Sequence, residues 1–156
     1  LSGPRKQPNS RNCFVCGKQN PASLKMEWWS HPEERFIQGT VTVPEQYNGY
    51  PGVVHGGVVA AILDETAGRA IILDGDDQLM VTLRLEVVYR KPTPTDTPLT
   101  AIGRVVRRSP SRASVVGELR LPDGTVTATC TATVVKPPAE ISDGWEEERQ
   151  YWKVYE

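Results

Sequence analysis

Residues 57–73 (GVVAAILDETAGRAIIL) are the only stretch of this chain that reads as a long helix, and they are apolar almost all the way round. A helix of about 17 residues spans roughly 25 Å at a 1.5 Å rise. With that distribution it belongs inside a domain, covered by sheet on most sides. Its end is marked by Asp74, Gly75, Asp76 and Asp77, with Gly75 available as a left-handed cap. Two strands are expected before it, over residues 24–30 and 35–43, joined by the turn SHPEE. After it the period changes to two over residues 79–90, 99–108, 112–121 and 125–135. The last is the clearest: Thr recurs at 125, 127, 129, 131 and 133, alternating with Val126, Ala128, Cys130, Ala132 and Val134. Pro122-Asp123-Gly124 and Ser109-Pro110-Ser111 supply hairpin turns, residues 44–52 (PEQYNGYPG) a loop, and residues 91–98 (KPTPTDTP) a stiff connection too rich in Pro for a strand. Strand, strand, helix, then four strands excludes an alternating doubly wound sheet. It predicts an α+β domain in which an antiparallel sheet of about six strands wraps one central helix. A sheet of that size has a face and two edges to hide, which self-association commonly does.

The 156 residues suffice for one domain and not for two independent cores. Residues 1–12 (LSGPRKQPNSRN) are polar and without period, and are expected to form a flexible arm; residues 13–136 hold the domain, and residues 137–156 form an acidic, aromatic tail. That tail, with Trp145, Tyr151, Trp152 and Tyr155 among its acids, suits a short amphipathic helix packed back on the sheet. The longest apolar run, residues 58–63, is far shorter than a membrane span. Residues 1–11 lack the apolar stretch of a secretory signal, and the absence of an initial Met suggests a trimmed start. A net charge of -1 gives no overall attraction to nucleic acid or to an anionic membrane, so neither is expected as a partner. Three cysteines are an odd set that suits a reduced, cytoplasmic protein better than a disulfide framework.

On the helix, Gly57, Ala60 or Ala61, Asp64 and Gly68 share one face, a stripe of small residues around one carboxylate. Asp64 has no cationic neighbour three or four residues away, so its partner lies outside the helix. It is either a buried carboxylate taking hydrogen bonds from a loop or a catalytic group, and the room beside it favours the second. Glu65 precedes Arg69 by four residues, which an ordinary ion pair explains. It stays among the candidate substrate-binding residues, with the structural ion pair as the favoured reading. His55-Gly56-Gly57 opens the helix, where free amides and the positive dipole end suit a carbonyl oxygen that gains charge.

Residues 48–68 (NGYPGVVHGGVVAAILDETAG) resemble the signature of hotdog-fold thioesterases of the phenylacetate-pathway group, in which HGG opens the central helix and an acid follows nine positions after the His. The resemblance extends to residues 13–26 (CFVCGKQNPASLKM) and 82–92 (TLRLEVVYRKP), with Ser23 standing where relatives usually carry Gly and Asn48 set one residue further from the HGG. It implies a hotdog fold and hydrolysis of acyl-CoA thioesters at the interface of a homodimer or homotetramer, the helix of one subunit facing the acid of the other. By position, the Gly57 amide helped by Gly56 would polarise the thioester carbonyl, and Asp64 would act as general base or nucleophile. His55 would orient loop or substrate, Thr82 would place the attacking water, and Asn48 would contact substrate. Coenzyme A is a polyanion, so Arg107 and Arg108, within a cluster that includes Arg104 and Arg112, are candidate phosphate contacts, with a solvated strand end as the plain alternative. No cofactor is expected. A hotdog hydratase or dehydratase, and a non-catalytic acyl-CoA binder, remain as rival functions.

Cys13 and Cys16 carry a Cys-x-x-Cys spacing, but a zinc site needs further ligands, and Cys130, His31 and His55 offer no second paired spacing. Thiols packing the N-terminal segment, with no metal, are the expectation. Cys130 falls on the apolar phase of its strand.

Overall fold

The structure is a computed structural model that describes residues 3–75 and 78–156. Strands β1 (Arg5–Lys6), β2 (Glu27–His31) and β3 (Phe36–Thr42) precede a small hairpin of β4 (Asn48–Tyr50) and β5 (Val53–Val54). Helix α1 (Gly56–Ala70) follows, then β6 (Val81–Tyr89), β7 (Pro98–Ser109), β8 (Arg112–Arg120) and β9 (Val126–Val135), and the short helix α2 (Ala139–Ser142). The main sheet runs β1-β2-β3-β7-β8-β9-β6, with every neighbouring pair antiparallel. It is a hotdog fold, with α1 laid across the sheet.

The helix buries Val59, Ile62, Leu63, Thr66, Ala67 and Ala70 against Trp28, Ile37, Leu99, Val115 and Leu119 of the sheet, all with almost no exposure. Burying each such large apolar side chain is worth about 1.5–3 kcal/mol. Approach is closest at Gly103 of β7, where an added Cβ would stand 2.8 Å from the Thr66 methyl carbon and 3.1 Å from its carbonyl oxygen. Only a glycine lets helix and sheet meet there. The helix ends at Ala70, three residues short of the expected stop, and continues as turns to Gly75, whose φ of +82° closes the segment as its sequence suggested. Asp76 and Asp77, which complete that expected stop, lie outside the described residues.

The helix is not wrapped on all sides. Ala60, Ala61, Asp64 and Gly68 are half-buried, and a Cβ built on Gly68 meets nothing within 4 Å. The small-residue stripe is thus open in a single chain. Strand β6 forms one edge of the sheet with Leu83, Val88 and Tyr89 exposed. A nine-residue edge with these apolar side chains exposed, beside the Arg84–Glu86 ion pair, is open to pairing with another strand.

Two expectations are corrected at the N-terminus. The sheet has seven strands rather than about six, because Arg5 and Lys6, in the segment read as a flexible arm, pair with Ser30 and Trp29. Side-chain amides, not apolar burial, fasten that segment. Gln7 Nε2 donates to Ser30 Oγ and to the Arg69 carbonyl, and Asn9 Nδ2 to the carbonyls of Cys16 and Met26, with both residues buried. The tail contains helix, as expected, but mostly a 3-10 turn over Asp143–Tyr151, beyond which Trp152 packs on the core and Lys153 pairs with Asn9. Arg69, 2% exposed, ties these parts together: it donates to the Pro8 carbonyl and to Glu65 and lies over the rings of Trp28 and Trp152.

Glu27 accepts from Lys6 and Lys18 at 2.8 and 2.9 Å, and the Lys6 contact, then that of Lys18, holds its carboxyl below the usual range. A carboxyl depressed in the folded state stabilises above its unfolded pKa, and that stability disappears as pH falls through the folded value. For these solvent-screened contacts the gap between wild type and Glu27→Gln should be about 1 kcal/mol. Urea midpoints should show it at pH 7 and show it closing below about pH 4.

Candidate active site

His55 caps α1. Its Nδ1 accepts from the Gly57 N–H at 2.8 Å, which fixes the imidazole proton on Nε2. The Gly57 amide, singled out as an oxyanion donor, is therefore held by His55 until something displaces it. The Gly56 N–H has no partner among the described residues, and no acidic side chain in the first turn neutralises the positive end of the helix. Strand β6 supplies a residue that sequence reasoning missed: the Tyr89 hydroxyl donates to the Gly56 carbonyl at 2.5 Å and pins the helix start. Its position seven residues beyond Thr82 on the same strand carried no signal alone.

Two and a half turns along the helix, Thr82 Oγ1 donates to Asp64 Oδ1 at 2.6 Å. This is the partner Asp64 lacked on its own helix. The bond fixes one carboxylate oxygen and leaves Oδ2 to accept from a water. Asp64 is half-buried and Thr82 exposed, so a small molecule can reach the pair from the open side of the helix.

The remaining candidates sit elsewhere. Asn48 Nδ2 donates to Glu45 Oε2 at 2.7 Å, and Glu45 also accepts from Thr95 Oγ1 and the Gly52 N–H. Those contacts, that from Thr95 foremost, hold the Glu45 carboxyl below its usual range. Asn48 thus closes the loop over residues 44–52, and Glu45, unnoticed in the sequence, organises it. Glu65 makes the expected ion pair with Arg69, at 3.0 Å, and turns its other oxygen to Cys13. Arg108 Nη1 donates to the Ile71 carbonyl at 2.6 Å, at the opposite end of α1 from His55. Arg107, its exposed neighbour on β7, lies at that same end. Within one chain neither arginine is brought to the helix start. Cys130 is buried as expected, and burial pushes its thiol up to about 11. Cys16 is held at about 7, chiefly by a hydrogen bond from Cys13, whose own thiol that contact and burial push up.

A carboxylate fixed by a hydroxyl, on the open face of a helix whose N-terminus presents amides, is suited to adding water to a polarised carbonyl. Comparison with known proteins agrees. The family model of the thioesterase superfamily matches residues 51–128, half of the chain and the part that carries the helix and Thr82. The chain belongs to the thioesterase superfamily. Among thioesterase structures, one crystallised thioesterase superfamily protein is 31% identical with a TM-score of 0.73, covering 80% of this chain and 60% of that one. A putative thioesterase of Ralstonia eutropha JMP134, described as related to phenylacetic acid degradation, is 28% identical with a TM-score of 0.59, over 66% of this chain and 77% of that one. The acyl-coenzyme A thioesterase THEM4 of Mus musculus is 44% identical over 46 residues, 30% of this chain and 19% of that protein. The match to this last relative thus spans about a fifth of its length.

Proposed function

We propose that the protein hydrolyses acyl-CoA thioesters to the free acid and coenzyme A, in a site completed by a second copy of the chain. The observation that carries this reading is the 2.6 Å bond from Thr82 to Asp64 on the open, small-residue face of α1. The ester carbonyl lies at the start of α1, displaces His55 from the Gly57 N–H and takes the free Gly56 N–H as a second donor. Asp64 of the second copy, acting as general base, accepts a proton on Oδ2 from a water that attacks the acyl carbon, since Asp64 of the same helix lies seven residues, about 10 Å, from Gly57; the tetrahedral intermediate collapses and expels the CoA thiolate, which is protonated to the thiol. Asp64 acting instead as nucleophile would form an anhydride that water then opens, with the same products.

The second copy is argued from exposure. The β6 edge and the stripe at Gly68 are open in one chain, and a two-fold pair formed through β6 would cover both. Such a pair runs its helices in opposite senses, so the Arg107 end of one copy approaches the helix start of the other and can meet the CoA phosphates. Homodimer and homotetramer both satisfy this. Three free cysteines suit the cytoplasm, and no described helix is long and apolar enough to cross a membrane.

The test is release of CoA thiol from acyl-CoAs of graded chain length. Turnover over many cycles is expected for at least one chain length, whereas tight binding with no thiol released would show a non-catalytic binder instead. Thr82→Val should lower kcat by about 10–100-fold, the worth of a hydrogen bond to a charged group, with KM little changed. Thr82→Ser should restore most of it.

A further inference from the structure

We propose that Cys13, Cys16 and Glu65 form a binding site for one zinc-type divalent cation, distinct from the Asp64 site and independent of the thioesterase reading. Three observations carry it. First, the two thiol sulfurs and a Glu65 carboxylate oxygen all lie within 4.8 Å of one another. The Cys13 sulfur stands 3.6 Å from Glu65 Oε1. Ligands at zinc–sulfur and zinc–oxygen distances of about 2.3 and 2.0 Å, at a tetrahedral angle, are about 3.5 Å apart. Second, the Cys-x-x-Cys turn is already folded as a thiolate holder: the Val15 N–H donates to Cys13 Sγ at 3.3 Å, and the Gly17 N–H closes the turn on the Cys13 carbonyl at 2.8 Å. Ser10 Oγ lies 3.5 Å from Cys16 Sγ.

Third, the surroundings orient the carboxylate and balance its charge. Arg69 Nε takes Glu65 Oε2 at 3.0 Å, leaving Oε1 directed at the sulfur, and Arg69 is itself fixed by Pro8 and Gln7. An outer contact of this kind is what positions metal-binding carboxylates. Two thiolates and a carboxylate bring three negative charges; a divalent cation and the buried guanidinium bring three positive ones. Arg69 also keeps one buried donor, Nη2, without an acceptor among the described residues. Cys16 is 1% exposed, while Cys13 lines a cleft of about 770 Å³ shared with Met80, Trp145 and Trp152, which gives the ion a path in and leaves a fourth position for water. On binding, the thiol protons pass to solvent. Glu65 is the ligand that cysteine and histidine spacing could not supply, since it comes from the helix 52 residues away.

The test uses the full chain, purified without chelators, reduced, loaded with Zn²⁺ or Co²⁺ and desalted. About one metal per chain is expected by elemental analysis, with a thiolate-to-cobalt charge-transfer band in the near ultraviolet and a lower Tm after EDTA treatment. Cys16→Ser should lose the band, Glu65→Gln should bind about a hundredfold more weakly or worse, and Cys130→Ser should match wild type. Circular dichroism identifies any variant that fails to fold, and the Glu65 variant keeps both thiols. Substoichiometric metal in the reduced, loaded wild type would overturn the proposal, as would a cobalt spectrum unchanged in the Cys16 and Glu65 variants. A Cys13–Cys16 disulfide whose reduced form takes up no metal would overturn it in favour of a redox pair.

Discussion

Asp64→Asn should lower kcat for acyl-CoA hydrolysis by about 10²–10⁴-fold, the usual worth of a general base, while the affinity for an uncleavable thioether analogue stays within a few-fold of wild type. The substitution keeps size and shape and an oxygen that can still accept from Thr82, 2.6 Å away, so the helix face and its packing are preserved. What is lost is the capacity to take a proton from water. Asp64 is half-buried and has no cationic partner among the described residues, so the neutral amide leaves no opposing charge stranded. Stability should therefore change little, which separates this variant from one that merely unfolds. Steady-state thiol release together with calorimetric binding of the analogue checks both halves. A loss of binding in step with activity would move Asp64 from the chemistry to substrate recognition.

Arg69→Ala should cost about 3–5 kcal/mol of stability, the range found when one partner of a buried ion pair is removed. The guanidinium is 2% exposed and is the shared partner of Glu65, Gln7 and Pro8, sandwiched near the rings of Trp28 and Trp152. Its removal leaves the Glu65 carboxylate uncompensated and frees both the N-terminal segment and the tail from the helix. Arg69→Lys should recover only part, because a single ammonium cannot serve a carboxylate and two other oxygens in a plane. Urea unfolding followed by tryptophan fluorescence measures the change. A loss under about 1 kcal/mol would mean that arm and tail are held by their other contacts.

The helix and the strands that follow it were legible because each rests on a local pattern: a period of two along β9, and a continuous apolar stretch for α1. Asp64 and Thr82 were legible through the motif, and their contact is the geometric content of an eighteen-residue spacing across a helix–strand junction. Four things were not legible, for different reasons. The segment around Gln7 and Asn9 is polar and without period, and its order comes from side-chain amides reaching carbonyls far along the chain. His55 was expected to orient loop or substrate; its own ring nitrogen instead takes the Gly57 amide, a competition visible only once the backbone has turned. Arg108 reads as a surface cation near a hairpin, yet it caps a carbonyl at the end of α1, where the helix dipole favours it. Glu65 was readable as the partner of Arg69, but its second oxygen could be assigned only after the Cys-x-x-Cys turn was seen against the helix.

Paired chains are proposed to hydrolyse acyl-CoA thioesters, each copy completing the other's site. Sedimentation of the protein through a solution of acyl-CoA and a thiol-reactive chromophore reads size and turnover together. Colour should develop behind a boundary of at least twice the mass of one chain, and at least about a hundredfold more slowly with Asp64→Asn at the same position. Colour travelling with a single chain, or wild-type dimer that sediments without colour on every acyl chain length, would contradict it.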